Sequence, residues 1–266
     1  MKRLITASIL IPVFFYVVVL APHWLFMLVL VYLGSVCFYE FAGIAEASVP
    51  GALRLQRHPV PYVAGLVVLF LPAEQFTFVM LIALAAMVLA LRSADLSKTL
   101  PVAGAMLLGI LYTWGAWRFS AQLRLIDPLW LLFALAINWV GDSFAFYAGS
   151  TFGRHKMAPR VSPGKSWEGS AASLAGVLVV GAFALRWRFP EMPLVAGLTL
   201  LAAGNIAGQL GDLAESGLKR GAGMKDSGNS LPGHGGWLDR VDSSLFSVPV
   251  VYALLQLRWF QPPSQP

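Results

Sequence analysis

Polar side chains that could do chemistry are concentrated near the C-terminal end of an otherwise apolar sequence. Residues 205–219 carry six of them at spacings of three or four: Asn205, Gln209, Asp212, Glu215, Ser216 and Lys219. On a helix, this spacing places the six side chains on one face. A carboxylate inside or at the edge of a membrane is costly, so the acidic members of this face are interpreted as functional.

A glycine-rich loop follows this face and ends at a second acidic pair. The loop holds Lys225 and His234 among its glycines, and Asp239 and Asp242 lie about one turn apart where apolar sequence resumes. Two oxygen-donating groups that flank one loop could share a hard cation. Mg²⁺ is typically held by one or two carboxylates, waters and substrate phosphates. His234 is either a general acid/base or a hydrogen-bond donor within the loop.

A second polar segment lies upstream. Asn138 and Asp142 share one helical face, and the sequence SPGKS at 162–166 runs into an apolar stretch. Backbone N–H groups at a helix start, with Lys165 nearby, suit a phosphate. A P-loop is rejected, because that motif needs a glycine where this chain has Pro159. Two alternatives stay open: Asp142 could pair with a base on another helix, and Lys165 could reach lipid head groups.

The elements that must position these groups are membrane helices. Of the 266 residues, 58% are apolar and only 12% are charged, whereas soluble domains are about a quarter charged. The pattern predicts an all-α, polytopic integral membrane protein with about nine transmembrane helices. The predicted spans are 4–21, 24–46, 60–72, 75–91, 100–117, 128–150, 167–186, 193–217 and 243–260.

The distribution of Lys and Arg predicts the orientation. With the N-terminus in the cytoplasm and a retained first span, most of the 19 basic residues fall on the cytoplasmic side, as the positive-inside rule requires. The polar loops 151–166 and 218–242 then face the cytoplasm, where nucleotides are available.

The sequence predicts a single transmembrane domain of residues 1–266, in which 1–127 serve packing or dimer contacts and 128–260 are catalytic. Scattered bases argue against nucleic acid.

Two features of the apolar runs have structural alternatives. Glu40 lies toward the cytoplasmic end of the second span, where it either faces the polar centre or bonds between helices. Tryptophans that include Trp114 and Trp117 lie near predicted span ends, as expected for an interfacial belt.

The C-terminal signature resembles that of the phosphatidate cytidylyltransferase, or CDP-diacylglycerol synthase, family. The resemblance rests on a run with fixed spacing: Ser216-Gly217-Leu218-Lys219-Arg220, Lys225-Asp226, Gly228, Leu231-Pro232, His234-Gly235-Gly236 and Asp239-Arg240-Val241-Asp242. The segment 142–169 is similar to the family's upstream segment. Two positions depart from the pattern: Trp237 replaces an aliphatic residue or Phe, and Gly164 stands where a second Lys is common.

The resemblance implies that CTP and phosphatidate react to give CDP-diacylglycerol and pyrophosphate. It also implies a Mg²⁺ centre and a homodimer, and the predicted site leaves room for a second cation. The compact chain favours a bacterial inner membrane, and the distribution of Lys and Arg puts the active site on the cytoplasmic side. The predicted metal ligands are Asp212 and Asp239, supported by Asp142 and Asp242. The other predicted catalytic residues are Lys219, Arg220, Lys225, His234 and Arg240. The predicted substrate-binding residues are Ser162, Pro163, Lys165, Ser216, Gly235 and Gly236.

Two other functions fit parts of the pattern. A CTP-dependent lipid or polyprenol kinase would use similar groups but release CDP instead of pyrophosphate. A secondary transporter also places charges in broken helices, although its site should lie near the bilayer midplane. The polar groups here cluster at one face and mainly in the second half of the chain, which favours the enzyme.

Overall fold

The computed structural model describes residues 12–49, 54–70, 76–93, 95–231, 233, 235–257 and 260, and these are mostly helical. Within the described ranges the helices are α1 (12–20), α2 (His23–Ser48), α3 (Pro59–Phe70), α4 (Phe76–Ala90), α5 (Thr99–Ile110), α6 (Ala116–Ile126), α7 (Pro128–Phe152), α8 (Trp167–Arg188), α9 (Leu194–Gly221) and α10 (Leu238–Leu255). The strands are β1 (Lys156–Ala158) and β2 (Ser162–Ser166).

Five helices are long and apolar enough to cross a bilayer: α2, the continuous segment Leu96–Ile126, α7, α8 and α9. Pro59–Phe70 and Val79–Ala90 are shorter apolar helices. The all-α membrane fold is therefore confirmed. The total of nine spans and the cytoplasmic N-terminus stay predictions, and residues 4–11 of the first predicted span lie outside the described residues.

The segment that was predicted to end at residue 117 continues to Ile126. A π-helical turn, Leu111–Gly115, joins α5 to α6, and the side chain of Trp114 is completely buried there. A Cβ on Gly34 of α2 would come within 2.6 Å of the Trp114 ring, so the helices meet through a small residue. The interfacial interpretation is wrong for Trp114 and Trp117, because the helix carries both into the core.

The predicted loop 151–166 contains a short antiparallel hairpin. Lys156 of β1 pairs with Ser166 of β2. The hairpin passes directly into α8, where Ser166 caps the helix by accepting a hydrogen bond from the N–H of Gly169 at 3.2 Å. Glu168 then accepts from the His155 ring at 2.6 Å. These bonds fix the polar segment 155–168 at the N-terminal end of α8 and determine where Lys165 lies.

A seam of polar side chains joins the last four helices. Asn138 of α7 donates to Ser247 of α10 at 2.8 Å, and Asn205 of α9 donates to Ser173 of α8 at 3.0 Å. Gln209 continues the seam by donating to Asn205 at 2.7 Å. Hydrogen bonds between apolar helices set their register, so the seam aligns the functional ends of α7 to α10.

Candidate active site

Two clefts meet at a pair of carboxylates. The hairpin cleft, of about 550 Å³, lies among α7, the hairpin, α8 and α9. The loop cleft, of about 470 Å³, lies among α7, α9, α10 and the glycine-rich loop. Asp142 of α7 and Asp212 of α9 line both. A molecule in either cleft can therefore reach the same acidic groups.

The hairpin side of this junction is open and basic. Lys165 of β2 forms an ion pair with Asp212 at 2.6 Å, and both side chains are roughly a third exposed (27% and 31%). Ser216, one turn along α9, donates to the other oxygen of Asp212 at 3.4 Å. A Cβ on Gly164 would meet no atom within 4 Å. The hairpin thus presents two lysines, Lys156 and Lys165, and open space to whatever enters its cleft.

The loop side is held by a buried ion triplet. Lys219 lies one turn after Glu215 on α9 and forms ion pairs with Glu215 and, at 2.5 Å, with Asp239 of α10. Glu215 is completely buried. A buried carboxylate is tolerated only when its charge is compensated, so Lys219 links two acids that would otherwise repel one another.

Asp239 also organises the glycine-rich loop. Its carboxylate accepts hydrogen bonds from the backbone N–H groups of Gly236 at 2.8 Å and Ser227 at 3.0 Å. Gly235 has a φ of +79°, in the left-handed region, and a Cβ there would lie 2.6 Å from Asp239. Glycine is required at this position on both grounds.

The loop cleft carries an excess of negative charge. Its charged lining residues are Asp142, Asp212, Asp226, Asp239 and Asp242 against Lys219 and Arg240. Asp242 is largely buried and accepts a hydrogen bond from the N–H of Ser243 at 2.7 Å. Carboxylates gathered in one cleft with few bases favour a bound cation.

The oxygen donors of the loop cleft are compatible with Mg²⁺ among the hard cations. Carboxylate oxygens are the ligands that hard cations prefer. No group of three or more His, Cys, Asp or Glu side chains within the described residues is arranged to hold a metal ion by itself. Mg²⁺ needs only one or two carboxylates when waters and substrate phosphates complete its shell, so the arrangement suits an ion that arrives with a nucleotide.

Only some of the remaining predicted site residues line a cleft. Arg240 lines the loop cleft, whereas Arg220 donates to backbone carbonyls of Val161 and Met224 and joins α9 to the hairpin turn. Lys225 is exposed on the loop. Ser162 and Pro163 lie in β2, but the residues of this strand that line the hairpin cleft are Gly164, Lys165 and Ser166. His234 lies outside the described residues.

One carboxylate that the sequence left open joins this region from α2. Glu40 is 2% exposed and accepts four hydrogen bonds from the glycine-rich loop and the start of α10. One indication of this role was present in the sequence: Glu40 is an acidic residue within an otherwise apolar run. Of the two interpretations of Glu40, hydrogen bonding between helices is closer to the structure, although the donors belong mainly to a loop and not to another helix.

The fold and the two clefts define a helical membrane protein whose acidic centre is bordered by basic side chains of the hairpin, α9 and α10. A sequence model of the cytidylyltransferase family matches residues 1–258, and the chain belongs to this family.

Relatives extend the match over nearly the whole chain. A Bacillus subtilis protein named phosphatidate cytidylyltransferase is 33% identical over 97% of this chain and 98% of its own length. A Pseudomonas aeruginosa protein of the same name is 36% identical over 96% of each chain. A Staphylococcus aureus protein of that name is 34% identical over 80% of this chain and 81% of its own.

Proposed function

We infer that this chain transfers the cytidylyl group of CTP to phosphatidate, giving CDP-diacylglycerol and pyrophosphate. The family and its relatives support the reaction, and one observation of the molecule carries it: the hairpin cleft and the loop cleft converge on Asp142 and Asp212. A reaction between two phosphorylated molecules needs two approaches to one charged centre.

The chemistry requires positioning and charge neutralisation more than base catalysis. An anionic oxygen of the lipid phosphate attacks the α-phosphorus of CTP, and a new P–O bond forms. The bond between the α-phosphorus and the bridging oxygen breaks, and pyrophosphate leaves with the bonding electrons. The nucleophile is already ionised near neutral pH, so the obstacle is repulsion between two anions. Cations held in line with the attack reduce that repulsion.

We propose that Asp212 and Asp239 hold Mg²⁺, supported by Asp142 and Asp242, which line the same cleft. When bound, Mg²⁺ supplies charge neutralisation and a fixed geometry for the phosphates, and a second cation has room in the same acidic cleft. Each carboxylate oxygen has two acceptor directions, so Asp239 can keep its loop amides while one direction serves the ion.

Basic side chains then divide the phosphates. We assign CTP to the hairpin cleft, where Lys165 would bind its phosphates, and the lipid phosphate to the loop cleft, where Arg240 would bind it. Lys219 is committed to Glu215 and Asp239, so its contribution is to orient Asp239 and to add positive charge. Ser216 orients Asp212. Arg220 and Lys225 lie further out and serve the approach of the nucleotide.

The membrane setting follows from the substrates. We propose nine spans with a cytoplasmic N-terminus in a bacterial inner membrane, with the site near the cytoplasmic head-group plane. There CTP arrives from water while the acyl chains of phosphatidate stay in the bilayer. A homodimer through the helices of 1–127 would leave both clefts clear.

The test uses purified protein with phosphatidate, Mg²⁺ and CTP labelled at either the α- or the γ-phosphorus. The α-label should enter the lipid and the γ-label should appear in pyrophosphate, and EDTA should stop both. Transfer of the γ-label to lipid with release of CDP would identify a kinase and refute the proposal. Absence of phosphatidate-dependent turnover would also refute it.

A further inference from the structure

Glu40 is a buried carboxylate whose role the reaction described above does not use. One oxygen accepts from the Ser230 hydroxyl at 2.7 Å and the N–H of Trp237 at 3.1 Å. The other accepts from the Ser227 hydroxyl at 2.8 Å and the N–H of Leu238 at 2.9 Å. All four donors lie at least 187 residues further along the chain. Among the described residues Glu40 has no ion pair.

These bonds supply a cap that α10 lacks in its own sequence. Trp237 is the N-cap residue and makes no side-chain capping bond, so the first N–H groups of the helix need acceptors from elsewhere. Glu40 provides them from α2, and its negative charge also interacts favourably with the positive end of the helix dipole. The helix that is fixed in this way carries Asp239, Arg240 and Asp242.

Two loop glycines are explained by the same contact. A Cβ on Gly228 would lie 3.0 Å from a carboxylate oxygen of Glu40, and one on Gly236 would overlap the carboxylate. The loop backbone therefore wraps closely around Glu40, and only glycine permits that approach. Gly236 also donates to Asp239, so Glu40 and Asp239 both hold the loop.

We propose that Glu40 is a positioning residue, whose carboxylate fixes the glycine-rich loop and the start of α10 so that the acidic groups of α10 face the loop cleft. The proposal rests on the proposed function only for its kinetic consequence. The effect requires a carboxylate, because its acceptor-only oxygens match four donors. Gln is nearly the same size but offers one acceptor oxygen and an NH₂ group. In either orientation of that amide, one backbone N–H, of Trp237 or Leu238, loses its acceptor.

The first test compares Glu40→Gln with Glu46→Gln. Glu46 lies on the same helix and also accepts a backbone N–H, that of Gln56 at 2.8 Å, but belongs to neither cleft. Glu40→Gln should lower kcat at least about 10-fold, in line with the loss of one charge-assisted hydrogen bond. KM for CTP should change less than about threefold, because the hairpin cleft is untouched. The Mg²⁺ concentration for half-maximal activity should rise. Glu46→Gln should match the wild type.

The second test measures backbone hydrogen exchange in the same two variants without substrate. Exchange should accelerate in peptides covering 227–238 of Glu40→Gln and stay unchanged in α7 and α8. Wild-type kinetics together with wild-type exchange in Glu40→Gln would overturn the proposal. So would a Glu40→Gln protein that fails to fold while Glu46→Gln folds, since the role would then be global. The exchange result does not depend on turnover, so it separates failure of this proposal from failure of the proposed reaction.

Discussion

The two sides of the acidic junction are built differently. On the hairpin side, Asp212 has one ion pair, to a partly exposed Lys165. On the loop side, Asp239 is bonded to Lys219 and to two backbone N–H groups. Glu40 accepts further hydrogen bonds from the same loop. The hairpin side can exchange its contacts for those of a ligand at little cost. The loop side holds its geometry before any ligand arrives.

This difference suits a reaction whose two substrates meet at one centre. Groups that must be aligned at the moment of transfer benefit from preorganisation, whereas a side that admits and releases a nucleotide must give up its contacts easily. An exposed ion pair contributes about 0–1 kcal/mol to stability, and a buried one costs about 3–5 kcal/mol when one partner is removed. Substitutions on the two sides should therefore affect activity and stability in different proportions.

Asp212→Asn should have the largest effect on activity, because Asp212 serves both clefts. We expect kcat to fall about 100- to 1,000-fold, the scale for removal of one preorganised electrostatic group, with little change in melting temperature. The measurement is CTP incorporation by folded protein in detergent. Asp95→Asn is the control, since Asp95 is an exposed acid that lines neither cleft and whose partners, Ser97 and Lys98, lie within three residues of it. Full activity in Asp212→Asn would remove this residue from the metal site.

Lys219→Met should combine lost activity with lost stability. It leaves Glu215 and Asp239 without their shared cation, so the free energy of unfolding should fall by about 3 kcal/mol. The double variant Glu215→Gln/Lys219→Met should recover part of that stability but not the activity. Thermal unfolding in detergent separates the two readouts. Equal stability of the single variant and the wild type would show that the loop side is no more rigid than the hairpin side.

Lys165→Ala should affect binding alone. Loss of one charged phosphate contact should raise KM for CTP about 10-fold, while stability changes by less than about 1 kcal/mol. Lys98→Ala is the matched control, because Lys98 also pairs with an acid, Asp95, but lies outside both clefts. A KM unchanged from that of Lys98→Ala would place CTP elsewhere.

Gly164→Lys should have the smallest effect, and it should lower KM for CTP where Lys165→Ala raises it. The position is open, since a Cβ there meets nothing within 4 Å, and the new ammonium would join Lys156 and Lys165 at the hairpin cleft. We expect KM for CTP to fall two- to threefold, less than about 1 kcal/mol, with kcat unchanged. An increase in KM would mean that the open space at Gly164 is itself needed by the substrate.

The sequence predicted what depends on local pattern. The apolar runs place most helices within a few residues, and the three- and four-residue spacing correctly puts Asn205 to Lys219 on α9. The signature also marked Asp239 and Asp242, which lie in one cleft with Asp142 and Asp212. The hairpin was missed because its two strands are three and five residues long, too short for an alternating pattern to stand out.

Contacts between distant parts of the chain could not be predicted in this way. Nothing near Glu40 indicates that its donors lie at 227–238, because the pairing depends on how α2 packs against the loop. Lys219 was predicted to be catalytic, but its ion pair with Asp239 became clear only when α9 and α10 were seen together. Which helices contact one another is decided by packing in three dimensions, and the local pattern of a single sequence does not show these contacts.

The central claim, that Asp212 and its neighbouring carboxylates gather a divalent cation between the two clefts, is tested most directly by binding. Electron paramagnetic resonance of Mn²⁺ titrated into purified protein with CTP reads occupancy without turnover. The wild type should bind Mn²⁺ tightly and saturably, and Asp212→Asn should weaken binding at least about 10-fold, whereas Asp95→Asn should not. Indistinguishable Mn²⁺ binding by Asp212→Asn and the wild type would contradict the account.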